Sequence, residues 1–362
     1  MSSPTPNAEP EVLIRIDGRA GRITLNRPKA LNALTLGMVR EIWKTLLAWK
    51  SDPAVQLAIF DGTGDRAFCA GGDVLSLYHS RADGSGIART FWREEYRLNA
   101  LIHRYPKPIV AVMDGIVMGG GIGLSAHVQG GGRIVTDRSM LAMPETGIGL
   151  IPDVGGTWLL GHAIGELGIY LGLTGARMNG SDAIQTGFAD IHIPHQKREA
   201  LVTALSDPGG PPVADLIDEA AEADPVPASP LMAMKADVDR YFSQPTVEAI
   251  LSELQTTTNP WAMKTRDDLL AKSPLALKAS FAAMRRAPAL GSLEEALNVE
   301  FRLCTHLFER GEFPEGVRAL LVDKDKAPRW QPARLEDVSN AMVESLFAPV
   351  EAEDEPGLAP PE

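Results

Sequence analysis

The chain has 362 residues, of which 44% are hydrophobic, so it can bury a sizeable core in one large domain or two moderate ones. Its formal net charge of −12, without any basic run, argues against nucleic acid as a partner. The two cysteines, Cys69 and Cys304, are too few for a disulfide framework or a cysteine-based metal site.

The N-terminal stretch MSSPTPNAEPEV has no apolar segment typical of a signal peptide, and no arginine precedes Arg15. No apolar run approaches the length of a membrane span, so no membrane association is expected. Together with the low cysteine content, these features predict a cytoplasmic protein. Residues 1–10 and the acidic, proline-rich stretch 346–362 are predicted to be disordered.

Residues 11–205 alternate predicted strands and helices, which indicates an α/β core. Residues 12–16 and 22–25 alternate in polarity around an Asp-Gly turn, which predicts a hairpin. Residues 34–49 carry apolar side chains at helical spacing, and 55–60 form a buried strand.

A strand, a glycine turn and a helix start then occur twice, at Gly72 and at Gly120. Such a turn gathers free backbone N–H groups at the positive end of a helix dipole, which favours a negatively charged ligand. Phosphate is disfavoured, because Leu124 stands where the dinucleotide fingerprint requires glycine and no G-K-[ST] follows. A thioester oxyanion and a purely structural tight turn both remain open.

Glu145 and Asp153 are the only carboxylates between Met140 and Gly165. Proline and glycine interrupt this segment, so it is predicted to be an apolar loop rather than a helix. Burial raises the pKa of a carboxyl, and a second carboxylate nearby raises it further, which is typical of a general acid/base pair. The alternative is that Glu145 caps a turn and Asp153 caps the following helix.

GGDV at 71–74, MGGGIGLS at 118–125 and MPETGIGLIPDVGG at 143–156 resemble the crotonase (enoyl-CoA hydratase/isomerase) family. The resemblance runs from about residue 12 to beyond residue 332. It is strongest to the branch of thioesterases that hydrolyse 3-hydroxyisobutyryl-CoA in valine catabolism. The resemblance implies a crotonase-like ββα spiral core with a C-terminal helical region.

The same resemblance implies roles for individual residues. The N–H groups of Gly72 and Gly120 would hold the thioester oxygen. Glu145 would attack the carbonyl carbon or activate water, and Asp153 would orient water or carry the proton. Glu95 would contact a hydroxyl on the acyl group, whereas without the resemblance it reads as an ordinary solvated helix charge.

Coenzyme A would be part of the substrate, so no separate cofactor and no metal are expected. Arg27 and Lys29, which flank Pro28, are candidates for binding its phosphates. The ligand is thus a small acyl-CoA. Crotonase relatives are often trimers or hexamers, which leaves a homo-oligomer open.

Two departures from the family pattern bear on the reaction. Enoyl-CoA hydratases place a second catalytic glutamate two residues after the glycine turn, where this chain has Gly123, so hydratase or isomerase activity becomes an alternative. The run 130–132 lengthens a connection by about two glycines without a functional account. A serine hydrolase is disfavoured because Ser125 lacks a G-x-S-x-G context. A non-catalytic CoA-ester-binding protein is the alternative from another class.

The remaining chain divides by composition. Residues 206–230 are rich in proline, alanine and acidic residues, which predicts a loop or weak helix with linker character. Residues 231–345 are helical by pattern, and the resemblance implies that they cover the active site.

Overall fold

The computed structural model describes residues 9–359. The strands are β1 (Val12–Asp17), β2 (Ala20–Leu25), β3 (Leu57–Gly62), β4 (Ala67–Cys69), β5 (Ile109–Met113), β6 (Ile116–Met118), β7 (Arg133–Thr136), β8 (Met140–Ala142), β9 (Met178–Asn179) and β10 (Ile191–Ile193). The helices up to the predicted linker are α1 (Leu36–Lys50), α2 (Val74–Asp83), α3 (Ile87–His103), α4 (Gly120–Ser125), α5 (Gly156–Gly161), α6 (Leu167–Thr174), α7 (Gly180–Gln185) and α8 (Arg198–Ser206). Those that follow are α9 (Val213–Ala223), α10 (Pro230–Ala233), α11 (Lys235–Phe242), α12 (Val247–Gln255), α13 (Pro260–Leu270), α14 (Pro274–Arg286), α15 (Leu293–Arg310), α16 (Glu312–Val317) and α17 (Asn340–Ser345).

The strands form two sheets. A six-stranded sheet has the order β1-β2-β3-β5-β7-β10 and is parallel except for the β1–β2 hairpin. A four-stranded sheet has the order β4-β6-β8-β9, with β4, β6 and β8 parallel. Each consecutive pair β3/β4, β5/β6 and β7/β8 sends its first strand to the large sheet and its second to the small one. This repeated crossing is the expected ββα spiral.

Local sequence explains these elements. All five residues of β5 are buried, as expected for an apolar run in a parallel sheet covered on both faces. The hairpin pairs Asp17 with Ala20, and its turn needs Gly18 because φ there is +57°. Helix α1 begins where the Thr35 hydroxyl accepts a hydrogen bond from the N–H of Met38.

The segment 206–230, predicted to be a loop or weak helix with linker character, contains helix α9 in the structure. Ile217 of α9 is buried in a second apolar cluster on the outer face of the large sheet. The Arg19 guanidinium also holds the preceding turn, donating to the carbonyl oxygens of Leu205, Gly210 and Pro211 at 2.6–3.1 Å. Composition missed this because the helix packs through few apolar residues.

Disorder over 346–362 is also wrong for the part that the structure describes, residues 346–359. The acidic tail meets arginines of α3 and α15: Arg302 donates to Glu355 at 2.8 Å, and Arg97 donates to the carbonyl of Pro356 at 2.8 Å. Residues 360–362, and residues 1–8 of the predicted disordered N-terminus, lie outside the described residues. The other domain boundaries stay predictions.

Helices of the C-terminal region pack against the core. Helix α15 contacts α3 and α5, and α14 contacts α5 and α6. Within residues 9–359, no helix combines the length and the hydropathy needed to cross a bilayer.

Candidate active site

Three adjacent strand ends bring the predicted site together. The chain reaches Gly72 after β4, Gly120 after β6 and Glu145 after β8, and these three strands are parallel neighbours. Because carboxyl ends of parallel strands lie at one edge of a sheet, the two glycine turns and the carboxylate converge.

The approach of the two turns requires glycine. A Cβ atom on Gly119 would lie 3.2 Å from Oε1 of Glu145 and 3.4 Å from Cα of Gly71. Gly71 and Gly119 have φ values of +111° and +46°, which L side chains rarely adopt. The turns are therefore shaped by close backbone contact, which leaves room for a ligand rather than for side chains.

The backbone N–H groups of Gly72 and Gly120 make no hydrogen bond to another backbone group among residues 9–359. Both groups lie in the wall of one cavity with a volume of about 430 Å³. Their joint role as an oxyanion hole is consistent with this placement and stays a prediction.

The same cavity brings together the three carboxylates predicted from the sequence. Glu95, Glu145 and Asp153 are only 2%, 6% and 5% exposed, and all three line the cavity. Glu95 Oε1 and Glu145 Oε2 have no hydrogen-bond partner within the described part of the chain. Glu95 is therefore not a solvated helix charge, because burying an unpaired carboxylate is costly unless a ligand uses it.

Burial and mutual repulsion raise the pKa values of these groups. Burial raises the pKa of Glu95 and that of Glu145 well above the usual glutamate value, and the charge of Asp153 raises both further. Burial raises the pKa of Asp153 to about 6, although a hydrogen bond from Tyr96 opposes this. Glu95 and Glu145 therefore hold their protons to a higher pH than ordinary glutamates, and Asp153 can exchange its proton close to neutral pH, as a general acid/base requires.

Asp153 does not cap the following helix through its side chain. Its carboxylate instead accepts a hydrogen bond of 2.7 Å from the Tyr96 hydroxyl. The N-cap of α5 is Gly155, with φ of +81°. The side chain of Asp153 is thus available to the cavity, and the capping alternative is wrong.

Glu300 of α15 takes the capping role and was missed by the sequence analysis. Its carboxylate accepts hydrogen bonds from the N–H of Gly155 at 2.6 Å and the N–H of Thr157 at 2.9 Å. Burial raises the pKa of Glu300 to about 8, against the effect of these donors. A signal existed, because Glu300 lies in the apolar stripe of α15 between Leu297 and Cys304.

The structure leaves no space for a side chain at Gly123, where enoyl-CoA hydratases place their second catalytic glutamate. A Cβ atom on Gly123 would lie 2.7 Å from Nδ2 of Asn99 and 2.9 Å from Cβ of Val154. Helix α4 therefore packs directly on α3 at this point. A glutamate side chain has no room there, which agrees with the departure from the hydratase pattern.

The two candidates for coenzyme A phosphates differ in their surroundings. Arg27 donates to the carbonyl of Ala33 at 2.6 Å and pairs with Asp73 at 3.1 Å and Glu11 at 3.0 Å. Its guanidinium thus ties together the loop that precedes α1. Lys29 is exposed. Phosphate binding by either residue stays a prediction.

The chain is similar in sequence to a known family of proteins and to curated enzymes. The family model described as enoyl-CoA hydratase/isomerase matches residues 20–347. The chain is 41% identical over 350 residues to the mitochondrial 3-hydroxyisobutyryl-CoA hydrolase of Danio rerio, which covers 95% of this chain and 91% of the relative.

Two solved structures are similar over almost the whole chain. One is a carnitinyl-CoA dehydratase from Mycobacterium thermoresistibile, with a TM-score of 0.88 and 44% identity, covering 95% of this chain and 98% of the other. The second is an enoyl-CoA hydratase from Rhodobacter sphaeroides 2.4.1, with a TM-score of 0.89 and 42% identity, covering 96% and 100%. The predicted fold class and family resemblance are confirmed.

The predicted cytoplasmic location is wrong by the same comparison. Curated relatives from Danio rerio, Xenopus laevis and Homo sapiens are all named as mitochondrial enzymes. The prediction depended on the lack of a leader pattern in the first twelve residues, and such a lack carries no information about location.

Proposed function

Because the chain belongs to the enoyl-CoA hydratase/isomerase (crotonase) family, we propose that it is a thioesterase that hydrolyses 3-hydroxyisobutyryl-CoA to 3-hydroxyisobutyrate and coenzyme A. The name of the curated relatives supports this substrate. The observation that carries the reaction type is the group of three buried carboxylates opposite two glycine turns, with the second hydratase position closed by Asn99.

The proposed reaction begins with the thioester carbonyl oxygen between the N–H groups of Gly72 and Gly120. These fixed donors stabilise the negative charge that develops on the oxygen, and one such donor typically contributes roughly 2.7–4 kcal/mol. The Glu145 carboxylate attacks the carbonyl carbon, the C–S bond breaks, and the thiolate takes a proton from Asp153. This step leaves a mixed anhydride on Glu145.

Water then completes the cycle. It attacks the anhydride, passes one proton to Asp153, and releases the hydroxy acid while Glu145 returns to a carboxylate. In the alternative route, Glu145 takes the proton from water, which attacks the thioester directly; the C–S bond breaks, the thiolate takes a proton from Asp153, and the proton on Glu145 then restores Asp153. Both routes consume one water and release one thiol, so the overall balance is the same.

Glu95 is proposed to accept a hydrogen bond from the hydroxyl of the acyl group. Its buried Oε1 lacks a partner among the described residues, so a substrate hydroxyl would satisfy it. An acyl group without the hydroxyl would leave this oxygen unpaired. The enzyme is therefore expected to favour β-hydroxyacyl esters, as a step in valine catabolism requires.

The test is thiol release from 3-hydroxyisobutyryl-CoA, measured beside hydration of crotonyl-CoA. The proposal expects rapid release of free coenzyme A from the hydroxy ester and no hydration of the enoyl ester. Hydration without thiol release would instead identify a hydratase, in line with the titles of the similar solved structures. Inactivity on both esters would contradict the proposed substrate.

A further inference from the structure

The charges that line the active-site cavity are unbalanced. Its described lining carries three carboxylates and only one cationic side chain, that of Lys272. Lys272 belongs to the C-terminal helical region and lies between α13 and α14, more than 100 residues after the motifs of the core.

Lys272 is held close to the loop of Glu145. Its ammonium nitrogen lies 3.3 Å from the position of a Cβ atom on Gly147, two residues after the carboxylate. The next residue, Ser273, donates its N–H to the carbonyl of Thr146 at 3.4 Å. The N–H of Lys272 itself donates to Leu269 at 3.0 Å, so the backbone on both sides of the lysine side chain is anchored.

We propose that Lys272 is a positioning residue for the hydrolysis, and that its ammonium group favours the ionised, reactive form of Glu145 against burial and the negative charges of Asp153 and Glu95. This inference rests on the proposed function. Lys272 forms no ion pair within residues 9–359, but its side chain and Glu145 line the same cavity, so the two charges interact across it.

The electrostatics of the two groups agree with this arrangement. The charge of Lys272 lowers the pKa of Glu145, against burial and the charges of Asp153 and Glu300, which raise it. Reciprocally, burial lowers the pKa of Lys272, while Asp268 and Glu145 raise it. A cation lowers the pKa of a neighbouring carboxyl most where solvent screening is weak, as it is in this half-buried part of the cavity wall.

The first experiment compares Lys272→Met with Lys264→Met. Lys264 lies on α13, is exposed and pairs with Asp268, so it controls for loss of a lysine in the same region. In Lys272→Met, release of coenzyme A at neutral pH should fall about tenfold, and the acidic limb of the kcat profile should move up by about one pH unit. Lys264→Met should match the wild type, and Lys272→Arg should retain the original limb.

The second experiment needs no substrate. Enzyme labelled with ¹³C at the glutamate carboxyl carbon is titrated, and the Glu145 signal is assigned by its loss in Glu145→Gln. The pKa of Glu145 should be higher in Lys272→Met than in the wild type. Because this measurement is independent of turnover, it tests the inference even if 3-hydroxyisobutyryl-CoA is not the substrate.

An unchanged Glu145 titration in Lys272→Met would overturn the inference. So would a loss of turnover without any movement of the pH profile, because a purely structural lysine would give that result. Circular dichroism melting of each variant separates these outcomes from a general failure to fold.

Discussion

At the scale of single residues, the cavity holds three buried carboxyls, and the charge of Asp153 disfavours ionisation of the other two. Glu145 Oε2 has no hydrogen-bond partner within residues 9–359, and burial raises the pKa of Glu145 in the folded chain well above the usual value. The folded chain therefore keeps a proton that the unfolded chain loses, so stability falls as the pH rises from about 4.5 toward the raised pKa. The buried Glu145 carboxylate therefore lowers the free energy of unfolding at neutral pH, although the proposed reaction requires it.

Glu145→Gln should separate these two effects. Release of coenzyme A should fall at least about 100-fold, because an amide neither attacks the carbonyl nor accepts a proton. The variant should be as stable as the wild type at pH 5 and more stable at pH 7.5, because it lacks the titrating group. Urea unfolding at both pH values measures the difference; a variant less stable at pH 7.5 would contradict this account.

At the scale of elements, helix α15 of the C-terminal region fixes a loop of the core. Glu300 accepts the N–H groups of Gly155 and Thr157, just after Asp153. In Glu300→Gln the amide has only one oxygen, so one buried N–H would face an NH₂ group. An unsatisfied buried donor costs about 1–3 kcal/mol.

We expect Glu300→Gln to lower both the free energy of unfolding and kcat, because the loop that carries Asp153 loosens. Glu309→Gln, an exposed change on the same helix, is the matched control. Guanidinium unfolding and steady-state kinetics measure the two quantities. Kinetics equal to those of the control would mean that α15 does not hold the loop.

The contact between α4 and α3 gives a second prediction at this scale. Gly123→Ala should cost about 1–3 kcal/mol, because the added methyl group overlaps Asn99 and Val154. Gly37→Ala is the control, since a Cβ atom there would lie 3.6 Å from Oγ1 of Thr35, an ordinary van der Waals contact, and a helical alanine is favoured over glycine. Thermal unfolding should show opposite shifts for the two variants; equal shifts would contradict the close packing.

At the scale of the whole molecule, the last described segment closes the structure over α3. Arg93 donates to the carbonyl of Glu353 at 3.1 Å, Arg97 to that of Pro356, and Asn298 to that of Leu358 at 2.8 Å. A chain ending at residue 345 should therefore unfold at a lower temperature than the full chain. Coinciding calorimetric transitions would show that the tail adds nothing to stability.

Short sequence motifs predicted those parts of the site that are formed by residues close together along the chain. The glycine turns and Glu145 follow directly on strand ends, and Asp153 lies on the loop that leads into α5, so their positions can be read from a few neighbouring residues. Lys272 and Glu300 reach the site only through packing of distant helices. The apolar stripe of α15 indicates that Glu300 is buried, but not that it meets Gly155. The order of 346–359 was missed for the same reason, since its acidic residues look solvated until the arginines opposite them are known.

The number of residues that separate two hydrogen-bond partners along the chain also determines when, during synthesis, the enzyme can become active. Gly155 meets Glu300 across 145 residues, and Arg97 meets Pro356 across 259. A ribosome adds about 5–20 residues per second and releases the N-terminal part first. A nascent chain thus holds both glycine turns and Glu145 for several seconds before Glu300 emerges. Thioester cleavage should begin only once synthesis is nearly complete.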